Sequence, residues 1–363
     1  MRKARILVVD DTPANIDILI EALSSDYTVA AARDGAKALA MARREPHPDL
    51  ILLDVMMPEI DGYQVCEQLK ADPATAGIPV IFITALDARE DEARGLALGA
   101  VDYITKPFHT ELVKARVANQ SELKLHRDHL NELVEERTRE LTLTQDVTIF
   151  TLANLAETRD PETGSHIRRT QAYVKRLAEE LSIQPKYAAA LDPHTIELLY
   201  KSAPMHDVGK VGVPDAILLK RGRLTEEELV EIRKHPEYGR RAFEEAARRL
   251  GKTSFLRYAE EIAYTHHEKW DGSGYPQGLN GEEIPISGRL MAIADVYDAL
   301  ISVRPYKRAF SHEDAVNLIL EGRGTHFDPD MVDAFVRIQD DFRAIAIEFA
   351  DSEKEIAVMS GEG

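Results

Sequence analysis

Five of the twelve histidines in this 363-residue chain form, with nearby acidic residues, a series between positions 166 and 267 that suits metal binding. The set consists of His166, His206, His235, His266 and His267, together with Asp207 and Asp295. The neighbouring side chains of His206 and Asp207 would leave a helix about 100° apart, so both can be ligands only from the rim of a cluster. A carboxylate flanked by imidazoles suits two divalent metals about 3.5–4 Å apart, which activate water and clamp a phosphoryl group. Mixed nitrogen and oxygen ligands without sulfur favour iron or manganese over structural zinc.

A second set of reactive residues follows short apolar runs in the first half of the chain. Its members are Asp10, Asp11, Asp54, Thr84 and Lys106. Because the carboxyl ends of parallel strands meet at one edge of a sheet, we expect these side chains to converge. Three carboxylates in one place repel one another unless a cation lies among them, and Mg²⁺ accepts such ligands. With Lys106 opposite, charge that develops during phosphoryl transfer to Asp54 would be stabilised, and Thr84 would hydrogen-bond the phosphoryl oxygens.

The elements that must position these two sets differ between the halves of the chain. Over residues 1–120, short apolar runs alternate with helical patterns, which predicts an α/β fold with a parallel sheet covered by helices on both faces. Residues 151–345 contain successive amphipathic helical stretches and predict an all-α domain, followed by a flexible tail at 346–363. Thr225 followed by Glu228 predicts a capping box at the start of one of these helices.

Residues 121–150 connect the two halves and predict a long helix, because they contain neither Gly nor Pro. The apolar residues that follow the 7-4-7 spacing of a coiled coil are Leu123, Leu130, Val134 and Leu141. Arg127 and Arg137 occupy other positions of the same seam. A single solvated helix is one interpretation, but we favour a homodimer through this linker, because the apolar stripe needs a partner to be buried.

The composition excludes several classes of protein. The chain carries 45 Lys and Arg against 63 Asp and Glu, a net charge of −18, which argues against binding to DNA. Its single cysteine, Cys66, excludes an intramolecular disulfide and a cysteine-based zinc cluster. The apolar runs fall far short of the ~20 residues of a membrane span, and no signal-peptide pattern is present. We therefore expect a cytoplasmic protein without membrane contact.

The first domain resembles the receiver domain of two-component response regulators. The matching stretches are Val-Val-Asp-Asp at 8–11, Leu-Asp-Val-Met-Met-Pro-Glu-Ile-Asp-Gly at 53–62, Ile-Thr-Ala at 83–85 and Thr-Lys-Pro-Phe at 105–108. The resemblance implies a five-stranded, doubly wound, flavodoxin-like sheet and phosphorylation of Asp54 by a sensor histidine kinase. It implies that Asp10 and Asp11 help to hold Mg²⁺. Thr84 and Tyr103 would then form the switch pair. A receiver fold that ignores phosphate is the alternative.

The second domain resembles the HD-GYP phosphodiesterases, a branch of the HD superfamily that cleaves the bacterial second messenger cyclic di-GMP. The matching stretches are His-Asp-Val-Gly-Lys at 206–210, His-His-Glu-Lys-Trp-Asp-Gly-Ser-Gly-Tyr-Pro at 266–276, Ala-Asp-Val-Tyr-Asp-Ala-Leu at 294–300, Arg-Pro-Tyr-Lys at 304–307 and Gly-Thr-His-Phe-Asp-Pro at 324–329. The two resemblances together imply a response regulator whose phosphorylation controls hydrolysis of cyclic di-GMP to pGpG, GMP or both.

The HD-GYP resemblance also implies the metal ligands. They are His166, His206, Asp207, His235, His266, His267 and Asp295, with Asp207 bridging two divalent metals, iron or manganese before nickel. Glu162 lies four residues before His166, and in some family members a carboxylate there supports a third metal. Glu162 also suits the start of a helix, where an acidic residue is favoured anyway.

Substrate contacts are implied at Lys210, Arg304, Lys307 and Tyr275. The Lys210 ammonium would neutralise developing charge and protonate a leaving sugar oxygen, which makes it catalytic together with Asp207; a surface lysine is the alternative. Arg304 would hold a phosphate bidentately and Lys307 would meet it as a point charge. Tyr275 would be held at the pocket wall by the tight turns around it.

Two other functions remain open at this point. A hydrolase of a hybrid cyclic dinucleotide or a nucleoside triphosphate would use the same chemistry, although the Gly-Tyr-Pro element argues against the triphosphate. A catalytically silent scaffold that binds partners such as diguanylate cyclases belongs to a different class. Such a scaffold would be free to lose ligand positions, and none of the expected positions is missing here.

Overall fold

The computed structural model describes residues 3–84, 94–107, 109–157, 164–220, 222–250, 255–302, 309–350 and 356. The chain divides into two compact units, Met1–Arg139 and Glu140–Gly363. Within the described ranges, no helix combines the length and the apolar character that crossing a bilayer requires.

The first unit contains the strands β1 (Arg5–Val9), β2 (Thr28–Ala32), β3 (Leu50–Asp54), β4 (Val80–Thr84) and β5 (Asp102–Thr105). They form one parallel sheet in the order β2-β1-β3-β4-β5. The register places Val9 opposite Leu53 and Asp54 opposite Ile83, so the carboxyl ends of the central strands lie at one edge. Every residue of β3 and β4 is buried, which explains why these strands are continuous apolar runs rather than alternating ones. The predicted five-stranded α/β fold is confirmed.

Helices cover both faces of this sheet. They are α1 (Pro13–Leu23), α2 (Gly35–Arg43) and α3 (Gly62–Ala71). One apolar cluster contains Leu39 of α2 and Leu69 of α3, and a second cluster contains Leu19 of α1. Helix α3 begins with a capping box between Asp61 and Gln64.

A single helix, α4 (Thr110–Glu157), contains the whole predicted linker and extends beyond it at both ends. Its first turns pack Val113 and Val117 into a core of the first unit. The predicted seam residues Leu123, Leu130, Val134 and Leu141 are all exposed, between 58% and 70%. Arg127, which occupies another position of the seam, has a partner in the first unit: its guanidinium donates a hydrogen bond to the carbonyl oxygen of Gly77 at 2.8 Å.

The second unit is helical after α4, as predicted. Its helices are α5 (Gly164–Ser182), α6 (Pro193–Ser202), α7 (Asp215–Leu218), α8 (Glu226–Ile232), α9 (His235–Leu250), α10 (Phe255–Thr265), α11 (Ile286–Ile301), α12 (His312–Glu321), α13 (Pro329–Arg337) and α14 (Gln339–Glu348), with 3₁₀ segments at Ala203–Met205, Val208–Gly212 and Gly281–Glu283. The capping box at Thr225 and Glu228 starts α8, which confirms that prediction. Ala346 is buried within α14, so the segment up to Glu348 is helical rather than part of a tail.

Four aromatic rings form the centre of this second unit. Tyr173 of α5 stacks on Phe342 of α14 with ring centroids 4.5 Å apart. Phe342 also meets Tyr297 of α11 at 5.3 Å and Phe335 of α13 at 4.9 Å, both edge to face. All four residues are fully buried. This cluster ties α5 and α11, which carry candidate metal ligands, to α13 and α14.

Replacing Phe342 with Ala should lower the free energy of unfolding of the second unit by about 3–5 kcal/mol, because a fully buried ring leaves a cavity. Phe342→Leu fills more of that space and should cost clearly less. Calorimetric melting of the full chain separates the two effects, since the transition of the first unit should not move. An unchanged second-unit transition in Phe342→Ala would contradict this account of the core.

Candidate metal centre and acidic pocket

The predicted metal ligands of the second unit converge from several elements. His166 lies on α5, His206 and Asp207 lie between the two 3₁₀ segments, and His235 begins α9. His266 and His267 follow α10, and Asp295 lies on α11. The side chains of His166, His206, Asp207, His235 and His266 are buried. The histidine pattern therefore identified residues that the fold brings together.

The buried imidazoles are anchored through Nδ1. Nδ1 of His206, His235 and His266 lies 3.1, 2.8 and 3.0 Å from the carbonyl oxygen of a residue three or four positions earlier. Nδ1 of His166 lies 2.8 Å from Oδ2 of Asp298. Because a carbonyl and a carboxylate only accept hydrogen bonds, each Nδ1 carries a ring hydrogen, and in the neutral ring Nε2 keeps a lone pair.

These Nε2 atoms face one another in two pairs with Asp207 between them. The Nε2 atoms of His166 and His206 are 3.3 Å apart, and those of His235 and His266 are 3.5 Å apart. Oδ2 of Asp207 lies 3.3 Å from Nε2 of His206, and Oδ1 lies 3.2 and 3.6 Å from Nε2 of His235 and His266. Oδ1 is buried and receives no hydrogen bond from the described residues. Imidazole nitrogens and carboxylate oxygens that face one another with no hydrogen atom between them are suitable ligands for divalent cations.

The possible ligand atoms form two groups, each within 4.8 Å. One group contains Asp207, His235, His266 and His267, and the other contains Glu157, His166 and His206. Oδ1 of Asp295 lies 3.9 Å from Nε2 of His166, on the side of the second group. The sequence analysis did not identify Glu157. It lies nine residues before His166, and no helical spacing relates two residues that far apart on separate helices.

The charges of this centre favour an ionised Asp207 carboxylate. Burial alone would raise the pKa of Asp207, but Lys210 and His206 outweigh it and hold that pKa well below its usual range. Nζ of Lys210 lies 2.7 Å from Oδ2 of Asp207. Burial, with His266 and His235 nearby, lowers the pKa of His267 well below its ordinary value, so this ring is neutral.

Asp298 is a second residue that the sequence analysis missed. Its carboxylate accepts two hydrogen bonds from the buried guanidinium of Arg169, from Nε at 2.6 Å and Nη2 at 2.9 Å, besides its contact with His166. Burial would raise the pKa of Asp298, but His166 and Arg169 lower it to about 2. A charged carboxylate thus fixes the tautomer and the orientation of His166. In the sequence, Asp298 could have been identified from its position three residues after Asp295, which places both carboxylates on neighbouring positions of one helix face.

The Gly-Tyr-Pro loop is fastened to the metal centre by the buried carboxylate of Glu268. Glu268 accepts backbone hydrogen bonds from Gln277 at 2.7 Å and Leu279 at 3.1 Å. This holds Tyr275 with its ring stacked on His267 at a centroid distance of 4.8 Å. A Cβ on Gly274 would lie 2.3 Å from the backbone nitrogen of Lys269, so this turn requires glycine.

Another glycine fixes the distance between Asp207 and His235. A Cβ on Gly209 would lie 1.9 Å from the carbonyl oxygen of His235 and 2.6 Å from the backbone nitrogen of Gly239. No residue with a side chain could occupy this position without separating the backbone segments of Gly209 and His235.

Three further predicted residues, Glu162, Arg304 and Lys307, lie outside the described residues.

The acidic pocket of the first unit has the expected composition. Oxygen atoms of Asp10, Asp11 and Asp54 lie within 4.8 Å of one another. Nζ of Lys106 bridges two of them, 2.8 Å from Asp10 and 2.9 Å from Asp54. Burial raises the pKa of Asp54 and the hydrogen bond from Lys106 opposes that rise. Three clustered carboxylates with one lysine fit a hard divalent cation.

The predicted switch residues lie on neighbouring strands at this pocket. Thr84 ends β4 and is buried, and its carbonyl accepts a hydrogen bond from the backbone of Lys106 at 2.7 Å. Tyr103 lies opposite Phe82 on β5, half-buried, with the guanidinium of Arg116 5.6 Å from its ring centre. The structure thus brings Thr84 and Lys106 together and places Tyr103 on the adjoining strand.

Asp298→Asn should weaken metal binding by roughly 10–100-fold, because the amide no longer supplies the charge that orients His166. Arg169 would also lose its buried partner, so the free energy of unfolding should fall by about 3–5 kcal/mol. Metal titration and elemental analysis measure the first effect, and melting measures the second. Asp314→Asn, on the exposed side of α12, is the matched control. Wild-type metal affinity in Asp298→Asn would show that His166 needs no such partner.

Comparison with known proteins agrees with this geometry. Residues 151–331 match the family model of the HD domain, and residues 6–118 match that of the response regulator receiver domain. The HD domain implies binding of divalent metals, and the receiver domain implies a kinase partner.

Three curated relatives are informative. A probable cyclic di-GMP phosphodiesterase of Vibrio cholerae is 49% identical over 361 residues, 97% of this chain and 82% of the relative. The cyclic di-GMP phosphodiesterase response regulator RpfG of Xanthomonas campestris is 33% identical over 349 residues, 92% of this chain and 87% of the relative. The 3′3′-cGAMP-specific phosphodiesterase 2 of Vibrio cholerae is 41% identical over 203 residues, 56% of this chain and 36% of the relative. Because two of these relatives align with both units, the chain belongs to the family of response regulators that join a receiver domain to an HD domain of the HD-GYP type.

Proposed function

We propose that this chain is a metal-dependent phosphodiesterase that hydrolyses cyclic di-GMP under the control of Asp54 phosphorylation. The observation that carries the proposal is the position of the Asp207 carboxylate between two facing pairs of imidazole Nε2 atoms, with Lys210 2.7 Å away. Divalent metals supply, when bound, charge stabilisation for a phosphoryl group and activation of water for attack. The names of the two relatives that align along both units support the substrate.

The other roles in hydrolysis belong to side chains of this protein. Asp207 remains ionised, since its pKa is held well below the usual range, and it bridges the two halves of the centre. The Lys210 ammonium neutralises charge that develops on the phosphate and gives a proton to the leaving sugar oxygen. Tyr275, held against His267, forms a wall for the substrate. Arg304 and Lys307 would hold the phosphates of the dinucleotide.

The ligand chemistry suggests which metals are used. Imidazole nitrogens and carboxylate oxygens without thiolate suit iron or manganese, and nickel would also be accepted. The two ligand groups would hold two metals, and Glu162 would serve a third. The product is pGpG after one hydrolytic step and GMP after two.

A hybrid cyclic dinucleotide is the second candidate substrate. The observation that favours it is the relative named as a 3′3′-cGAMP-specific phosphodiesterase, which matches 56% of this chain. Its alignment covers 203 residues of this chain, against 361 and 349 for the two relatives named for cyclic di-GMP, so cyclic di-GMP is the substrate we propose.

Metal-loaded full chain should convert cyclic di-GMP to pGpG or GMP, and Asp207→Asn should lower turnover by at least about 100-fold, because a neutral amide cannot bridge two cations. Chromatography of the nucleotides and elemental analysis of the protein measure both parts. The same incubation with 3′3′-cGAMP tests the second candidate. Faster hydrolysis of 3′3′-cGAMP would reverse the order of substrates, and full turnover in Asp207→Asn would remove the bridge from the mechanism.

Control of the enzyme is proposed to pass from Asp54 through α4. A sensor histidine kinase would phosphorylate Asp54 with Mg²⁺ held by Asp10 and Asp11, and Thr84 and Tyr103 would respond. The receiver would occupy residues 1–120 and the linker 121–150. The exposed leucines of this linker support a homodimer, because they form a stripe without a partner in the described chain. A diguanylate cyclase is a further candidate partner.

Beryllofluoride with Mg²⁺ should change phosphodiesterase turnover several-fold in the wild-type chain and not in Asp54→Asn. Replacing Arg127 and Arg137 together with Leu should remove most of this response, because the apolar seam would then hold one arrangement of α4. Turnover is measured by chromatography and oligomeric state by light scattering. A full response in the double variant would exclude repacking of the linker as the route.

A further inference from the structure

We propose that Glu157, in the last turn of α4, is a metal ligand, so that the connecting helix itself contributes one side chain to the catalytic centre. This inference rests on the proposed metal-dependent function and goes beyond it. It assigns a ligand that neither the histidine pattern nor the family motifs include.

The position of Glu157 is the first argument. Its side chain is 2% exposed, and one of its carboxylate oxygens lies within 4.8 Å of ring nitrogens of both His166 and His206. The Nε2 atoms of these two histidines already face each other at 3.3 Å with their hydrogens on Nδ1. A carboxylate beside two imidazole lone pairs gives a divalent cation three ligands.

The charge of this group is the second argument. Imidazole rings bring no negative charge to a bound cation, so the carboxylate of Glu157, together with those of Asp207 and Asp295, would supply the negative charge of this half of the centre. A buried carboxylate is costly unless a cation or strong hydrogen bonds compensate it. A metal between Glu157 and the two rings would contribute to that compensation.

The packing of α4 explains how Glu157 is held in place. Ile149 and Ala153, two and one turns before Glu157, are buried in an apolar cluster with Ile167 and Met205. Ile167 follows His166 in the chain, and Met205 precedes His206. The last turns of α4 therefore pack against the same backbone segments that carry the two histidines.

An ion pair and a cation–π contact also hold this part of α4. Asp146 of α4 pairs with Lys201 of α6 at 3.1 Å, and the guanidinium of Arg168 lies 5.2 Å from the ring centre of Phe150. Because α4 is one unbroken helix from Thr110, a shift or rotation of its axis would displace Glu157 relative to His166 and His206. Metal affinity of this half of the centre would then depend on the state of α4.

Glu157→Gln keeps the shape of the side chain and removes its charge, so it tests the proposal directly. We expect it to weaken binding of one Mn²⁺ per chain by at least about 10-fold, while the melting temperature without metal changes little. Isothermal titration with Mn²⁺ and elemental analysis of the dialysed protein measure this. Glu157→Asp should retain part of the affinity, and Glu136→Gln, an exposed residue of the same helix, should match the wild type.

A second measurement tests the coupling to α4. Beryllofluoride should change the Mn²⁺ affinity of the wild-type chain and leave that of Glu157→Gln unchanged, with Asp54→Asn as the control for direct effects of the reagent. Wild-type Mn²⁺ affinity and stoichiometry in Glu157→Gln would overturn the proposal, as would loss of metal from Glu162→Gln but not from Glu157→Gln. Neither result depends on hydrolysis, so failure of the proposed function would be seen separately, as absence of nucleotide products from the metal-loaded wild type.

Discussion

The helical unit depends on one constraint, the hydrogen bond that each buried metal-facing imidazole makes through Nδ1. For His206, His235 and His266 the acceptor is a carbonyl of the preceding turn, so the orientation of each ring follows from the helical or 3₁₀ geometry of its own segment. The rings then direct their Nε2 lone pairs to a common centre without help from any other side chain. A centre of this kind is largely formed before metal binds, provided that the helices are packed correctly. The aromatic cluster around Phe342 and the close contact at Gly209 secure that packing.

Much of this arrangement was predictable from the sequence because it depends on local patterns. Apolar runs that end in Asp or Thr predicted the strands and the edge of the sheet at which Asp10, Asp54 and Lys106 meet. The spacing of the histidines and the adjacent His206 and Asp207 predicted a shared carboxylate, and the structure places Oδ1 and Oδ2 of Asp207 toward different imidazoles. In each case the candidate functional residues are themselves part of the sequence pattern that predicts the fold or the site.

The residues that sequence analysis missed act over long separations in the chain. Asp298 contacts His166 across 132 positions, and Arg169 supports it from a different helix. Glu157 belongs to a segment whose most visible feature is its exposed charged surface, so one buried glutamate does not stand out. Propensity and periodicity describe the face of a helix, but they do not say which acidic residue at its end is covered by another element. Tertiary packing alone decides that.

Gly209 has a consequence for how activity is inferred across such proteins. The backbone on which it lies is so close to His235 that any side chain would push apart two segments that carry ligands, by more than metal coordination tolerates. A chain could therefore retain every histidine and aspartate of the centre and still be inactive through one substitution at a residue that touches no metal. Counting ligands is for this reason an incomplete criterion for separating enzymes from silent relatives. The identity of the residue two positions after the aspartate belongs in the same test.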